Sequence, residues 1–408
     1  MINEKKARFI HTIKGLKTQF NNAFKEDPTD VFSSPGRIEL LGNHTDHNHG
    51  KVLVSSVNLN ILALTRKRDD GKVVYHAKGY RKINININDL SLKDSEYGKS
   101  DGLIRGVLFK MKELGYNIGG VEISSKTTIF KGAGVSSSAA FEVLIAKIIN
   151  YYYNEDKIDE MTIAKIAQFA ECVYFNKPCG LLDQCGISLG GVNYIDFKSV
   201  EEPIVKTMQF NVKKYDIVLT NCVDSHDKLT HLYSKIKEDM ALLSNYFNKE
   251  YLRQVRAKEF FEKKEELIDK FGLDVFNRGK HYFEENKRVE QAYKCILNND
   301  EDGFVKCIND SGESSFYQLK NCYVNSIEEN LPQGILKSKE YITSGSVRVH
   351  GGGLAGTILA FVNKKETKEY ISNMKEMFGE HNVKQIYLAK YGTRHIGKIE
   401  NIIEEQIT

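Results

Sequence analysis

Three short stretches carry residue types that could do chemistry. Residues 34–51, SPGRIELLGNHTDHNHGK, gather Arg37, Asn43, His44, Asp46, His47 and His49 in one polar run. The histidines raise the prospect of a structural metal, but Gly42, Asn48 and Gly50 interrupt them and no partner cluster stands out elsewhere. A hydrated loop of turn-forming residues is the plain alternative. Short, rigidly placed Asp, Asn, His and backbone groups are also what a hydroxyl-rich ligand needs, and that reading fits best. The second stretch, FKGAGVSSSAAFEVLI at 130–145, is a glycine–serine turn feeding an apolar helical pattern at Phe141, Leu144, Ile145 and Ile148. A turn of this kind gathers unpaired N–H donors and the positive end of a helix dipole on one spot, which suits a phosphate. The third is KPCGLLDQ around Asp183; alone, such an aspartate reads as a turn or cap residue.

The glycine–serine turn is not a Walker loop, since no Lys-Ser/Thr pair follows its second glycine, and it is not a GxGxxG fingerprint. Gly132-Ala133-Gly134-Val135-Ser136-Ser137-Ser138-Ala139 resembles the second motif of the GHMP small-molecule kinases, G-x-G-[LV]-S-S-S-A, with Phe130 where a proline usually opens it. Residues 36–50 resemble the galactokinase signature G-R-x-N-L-[IL]-G-E-H-T-D-Y-N-x-G. Gly36, Arg37, Leu40, Gly42, His44, Thr45, Asp46, Asn48 and Gly50 agree with it. Glu39 stands where the family has Asn, Asn43 where it has Glu, and His47 where it has Tyr. KPCGLLDQ resembles P-C-G-[IM]-M-D-Q, and RVHGGGLAG at 348–356 resembles the third motif, R-M-T-G-G-G-F-G-G. With these motifs in register, the chain is identified as a divergent member of the galactokinase family of the GHMP kinase superfamily.

The resemblance implies an ATP-dependent sugar 1-kinase, with Mg²⁺ and direct in-line transfer. Asp183 would deprotonate the anomeric hydroxyl, and Arg37 would partner that acid and the incoming phosphate; a poor nucleophile needs both a base and a cation. Gly132, Gly134, Ser136, Ser137 and Ser138 would hold the ATP phosphates, and Ser137 and Glu171 the Mg²⁺. Asn43, His44, Asp46 and Tyr233 would contact the sugar; His226 falls in place beside Tyr233 in the same motif. Arg278, His281, Glu285, Arg288 and Val289 echo a family helix that reads as packing. Galactose is the first-choice substrate. An amide at 43 in place of a carboxylate would also suit L-arabinose, or galacturonate, whose charge a glutamate would repel; N-acetylgalactosamine belongs in the same comparison. A non-catalytic sugar sensor is the reading from another class, disfavoured because Ser136–Ala140, Asp183 and Arg37 are all present. A relative acting on mevalonate or homoserine is disfavoured by His44-Thr45-Asp46.

Positioning these residues takes a sizeable scaffold. At 408 residues the chain exceeds one compact core, and its 41% hydrophobic and 27% charged composition is that of a soluble globular protein. A short strand running into the SPGR turn over 30–37, strand patterns at 51–65, 73–77, 82–88 and 120–128, and helices at 102–114 and 161–175 read as an α+β arrangement. Residues 227–330 are nearly all helical, and their Glu/Lys pairs read as solvated faces. A glycine run into a strand at 344–362, a helix and a terminal strand VKQIYLA complete the chain. The resemblance implies a two-domain GHMP kinase fold. Its N-terminal domain, 1–205, would be ribosomal-protein-S5-like and its C-terminal domain, 206–408, ferredoxin-like with extra helices, with the site between them. A net charge of +4 with no basic–aromatic block argues against nucleic acid. Seven cysteines with no C-x-x-C pair point to reduced thiols, and no segment reads as a signal peptide or membrane span, so a cytoplasmic protein is expected, as a monomer or weak homodimer.

Overall fold

The structure, a computed structural model, describes residues 2–130, 132–222, 230–354 and 356–404. The strands of its first half are β1 (Asp30–Leu41), β2 (Lys51–Arg68), β3 (Lys72–Ala77), β4 (Ile83–Asn86), β5 (Gly120–Thr127), β6 (Val192–Asp196) and β7 (Ile204–Met208). The helices there are α1 (Ile2–Phe24), α2 (Ser100–Glu113), α3 (Ser137–Tyr153), α4 (Glu160–Phe169) and α5 (Leu182–Leu189). β8 (Tyr215–Asn221) opens the second half. The helices α6 (Thr230–Tyr246), α7 (Ala257–Glu262), α8 (Lys264–Phe271), α9 (Leu273–Leu297), α10 (Glu301–Ser314) and α11 (Asn330–Tyr341) follow. The chain closes through β9 (Gly345–His350), β10 (Thr357–Asn363), α12 (Thr367–Phe378), β11 (Val383–Ile386), β12 (Arg394–Lys398) and α13 (Ile399–Glu404).

β2 is the spine of the larger sheet, whose order is β12–β1–β2–β5–β3–β4. Along one edge β2 pairs with β1; along the other its Ile61–Arg68 end pairs with β5 and its Lys51–Ser55 end with β6, to which β7 is attached. Its near-continuous apolar composition fits a strand covered on both faces. The smaller sheet, β11–β8–β10–β9, is antiparallel and carries α11 and α12 on one face. One apolar core runs from the large sheet through α2 and α3 to α9, α10 and the inner residues Ile217, Leu219 and Phe361 of the small sheet. α1 buries Ile10, Ile13, Leu16 and Phe20 on the far side. Among the described residues no helix is long and apolar enough to cross a membrane.

Sheet membership does not divide the chain at residue 205: that position falls inside β7, and β12 returns to pair with β1 in the first sheet. RHIGK has too little alternation to announce a strand, so this return is set by tertiary pairing. The SPGR turn is instead part of β1, which stays extended through Leu41 by shifting register at Pro35/Arg37 and again at Glu39/Leu41. Bulges let a strand carry proline and re-aim its side chains. Between the two shifts Arg37 and Glu39, two residues apart, stay in register and share one face of β1.

Candidate active site

The chain leaves β5 and reaches α3 through the glycine–serine turn. Gly132, Gly134 and Ser136 take positive φ values of 76°, 69° and 57°, so every second residue is left-handed. Such a run of backbone turns forms a concavity of N–H donors, an anion-binding nest. A side chain at Gly132 would collide with Asn221, its Cβ lying 2.4 Å from Nδ2. α3 begins at Ser137 with no side-chain cap, leaving its first N–H groups available, and is buried from Ala139 to Asn150.

Asp183 sits in the first turn of α5 and reaches the same turn. Arg37 Nε donates to Asp183 Oδ1 at 2.7 Å, Arg37 Nη1 to the Gly134 carbonyl at 2.6 Å, and the Ser136 hydroxyl to Asp183 Oδ2. Burial pushes the Asp183 carboxyl up, but the Arg37 charge and its hydrogen bond, with Ser136 and Lys177, outweigh it and hold the group below the ordinary carboxylate range. It is a carboxylate at neutral pH, fixed beside the nest.

Behind it lies a second acidic group. Glu171, in the π-turn Ala170–Tyr174, is 1% exposed. It accepts from Ser138 Oγ at 2.8 Å, Lys177 Nζ at 2.7 Å and Gln184 Nε2 at 2.7 Å. The pKa of Glu142, one turn along α3 from Ser138, is driven well above its ordinary value by burial and then by the Glu171 charge. Ser137 is exposed at the head of α3; Ser138 is the serine that touches Glu171.

On the other side of Arg37, Glu39 Oε1 accepts from Arg348 Nη2 at 2.7 Å and Asn43 Nδ2 at 3.0 Å. Asn43 is 1% exposed and its amide is taken up by protein: Nδ2 also donates to the Gly351 carbonyl at 2.7 Å, and Oδ1 accepts from Asn321 Nδ2 at 2.7 Å. His44, at φ 55°, places Nε2 2.9 Å from the Gly352 carbonyl, and the Tyr233 hydroxyl donates to Gly353 at 2.8 Å. Asp46 abuts Gly180, whose Cβ would stand 2.2 Å from Asp46 Oδ2, so only glycine allows the 178–183 segment this close. Burial, then the Glu39 and Asp183 charges, push the Asp46 carboxyl up to about 6. His47 is brought down to about 3 by burial and the neighbouring His44 and Lys237. The 42–43 turn rests on α9: Glu285 Oε1 accepts from the Gly42 N–H at 2.9 Å, and His281 Nε2 meets the Asn43 carbonyl at 2.9 Å.

The structure therefore brings Arg37, Asp183, Gly134 and Ser136 into direct contact and sets Asn43, His44, Asp46 and Tyr233 on the adjoining wall. His226 lies outside the described residues. No three His, Cys, Asp or Glu residues among those described are placed to hold a metal, and His49 stacks on Tyr251 at 3.8 Å instead. Sequence reasoning missed Glu142, Lys177, Gln184, Asn321 and His350. Glu142 was visible as an acid in an apolar helix four residues after Ser138; Asn321 and His350 gave no local signal. His47 Nε2, Glu142 Oε1, Gln184 Oε1 and His350 Nδ1 are buried here without a hydrogen-bond partner among the described residues.

A mixed-sheet fold with a nest of backbone N–H donors at the start of a helix and an Arg–Asp pair at its mouth sets the frame for comparison. The GHMP kinases N-terminal domain family model matches residues 102–191, which hold the nest and Asp183. The galactokinase galactose-binding signature matches residues 18–67. A galactokinase of Clostridium acetobutylicum is 30% identical over 381 residues, covering 90% of this chain and 94% of its own. One from Clostridium beijerinckii is 29% identical over 405 residues, covering 95% and 100%. Among solved structures, Lactococcus lactis galactokinase complexed with galactose superposes with a TM-score of 0.81 at 22% identity, over 95% of this chain and 100% of that one. Methanococcus jannaschii mevalonate kinase follows at 0.64 and 13% identity, over 88% and 98%. The chain belongs to the galactokinase family.

Proposed function

We propose that this protein transfers the γ-phosphoryl group of ATP to the anomeric hydroxyl of a neutral sugar, galactose being the leading substrate. The observation that carries the reading is the contact of Asp183 with Arg37 and Ser136 at the rim of the nest. Asp183 takes the hydroxyl proton while the anomeric oxygen–phosphorus bond forms and the β–γ bridging bond breaks, its electron pair leaving with ADP. Arg37, already bound to the carbonyl of Gly134, presents its remaining donors to the transferring group. The nest and the α3 N-terminus bind the phosphates, and His44, Asp46 and Tyr233 orient the sugar.

Magnesium takes hard oxygen donors, and Ser137, Ser138 and Glu171 supply hydroxyl and carboxylate oxygens at the head of α3. Lys177, whose side chain is 57% exposed, is the cation that now pairs with Glu171 and is free to yield it. When bound, the metal would neutralise phosphate charge. The reading is tested by ADP release from MgATP with galactose, N-acetylgalactosamine, L-arabinose and galacturonate. Galactose is expected to give the fastest turnover; no ADP above background with any aldose would end the proposal.

A further inference from the structure

Glu39 and Asn43 are two departures from the family signature, one replacing an amide and the other a carboxylate. In the structure they are one feature. Their side chains are hydrogen-bonded to each other at 3.0 Å, so a carboxylate and an amide have exchanged places across one contact. The exchange is not symmetrical in what it leaves free. The Asn43 amide is engaged at both ends by Glu39, Gly351 and Asn321. Glu39 uses only Oε1 for protein partners, Arg348 and Asn43; Oε2 accepts nothing among the described residues.

The cation behind Glu39 is not available to a ligand. Arg348 is 0% exposed, and besides Glu39 its guanidinium donates to the carbonyls of Leu40 at 2.7 Å and Val349 at 2.9 Å. Arg348 thus pins one oxygen of the carboxylate from behind. The other belongs to the wall that also holds His44 and Asp46, and the charge of Glu39 acts on both: it raises the affinity of each for a proton. A ligand on this wall meets the carboxylates of Glu39, Asp46 and Asp183, and Arg37 gives its Nε–H to Asp183.

We propose that Glu39 is the residue that selects the sugar: its Oε2 accepts a hydroxyl of a neutral, hydroxyl-rich substrate and turns away sugars that carry a carboxylate. This rests on the sugar-kinase reading above, and it reverses the preference that the amide at 43 suggested when read alone. A carboxylate accepts hydrogen bonds from hydroxyls and has none to give, whereas the carboxylate of a uronic acid brings only further acceptors and a like charge.

The test is calorimetric titration of the full chain, loaded with a non-hydrolysable ATP analogue and Mg²⁺, with galactose and with galacturonate, in the wild type and in Glu39→Gln. The wild type should bind galactose at least tenfold more tightly than galacturonate. Glu39→Gln, which keeps the acceptor for Arg348, should lose at least fivefold in galactose affinity and narrow the ratio at least tenfold. A variant that melts normally, binds the analogue and leaves both affinities within twofold makes Glu39 only the counter-ion of Arg348 and overturns the proposal. Should Glu39→Gln not fold, Glu39→Asp decides: weakened galactose binding with galacturonate still excluded supports it, and unchanged galactose binding overturns it. If the wild type binds the analogue but neither sugar, the sugar-kinase reading itself falls, and this inference with it.

Discussion

Glu285 and Asp46 flank the same turn of the chain, and burial acts on them with opposite results. Glu285, 0% exposed, receives the Gly42 N–H, the Ser311 hydroxyl at 2.7 Å and Arg288 at 2.7 Å. Desolvation alone would raise its pKa; Arg288, His281 and Arg348 overcome it and bring the carboxyl down to about 2. Among the described residues no cation pairs with Asp46, and the Glu39 and Asp183 charges add to desolvation instead of opposing it. The first carboxylate stabilises the fold, and the second is held at a cost by a fold that positions it for something else. Perturbed acids of the second kind gather at binding and catalytic sites.

The contrast has consequences that can be measured. Glu285→Ala leaves Arg288 and the Gly42 N–H without their acceptor and should destabilise the protein by about 3–5 kcal/mol, since removing one partner of a buried ion pair strands the other. Chemical denaturation checks this; a loss below about 1 kcal/mol would break the comparison. The pH dependences should also oppose each other. The Glu285 contribution is complete above its unfolded pKa near 4.5 and is lost as pH falls toward about 2. For Asp46, with a folded pKa of about 6 against an ordinary 3.8, stability is highest with the group protonated and declines as pH rises from about 4 through 6.

Asp46→Asn carries a smaller effect of the opposite sign. It removes the repulsion, so at pH 7.5 the melting temperature should rise by roughly 1–3 °C. Sugar affinity should fall about tenfold or more with the loss of a charged acceptor. In the wild type kcat/KM for the sugar should show an acid limb near pH 6, where Asp46 gains its proton, and the variant should lack that limb. A lowered melting temperature, or an unchanged limb, would place Asp46 with Glu285 as scaffold.

How far the sequence carried this account depends on what each residue needed from distant chain. Gly132, Gly134, Ser136 and the α3 pattern are contiguous, and the left-handed turns that form the nest arise within that one stretch, so the nest was legible. Asp183 and Arg37 lie 146 positions apart and were joined by motif likeness before their 2.7 Å contact was seen. The Asn43 substitution was legible and its consequence was not. Read alone it meant a lost carboxylate, whereas the carboxylate stands at Glu39, held by Arg348 309 residues away. β12 and His350 were invisible for the same reason: a five-residue strand and a lone histidine take their meaning from the surfaces they meet.

The central claim is that one cleft holds an ionised Asp183 between a phosphate nest and a sugar hydroxyl. The most direct measurement is ³¹P NMR of the full chain with MgATP and galactose, run on the wild type and on Asp183→Asn, with nucleotide affinity measured alongside. The account predicts a sugar 1-phosphate resonance growing in step with ADP in the wild type. In the variant its rate should fall by about 10²–10⁴-fold with nucleotide binding retained. A phosphorylated product formed as fast by Asp183→Asn, or ADP appearing in the wild type without a sugar phosphate, would contradict it.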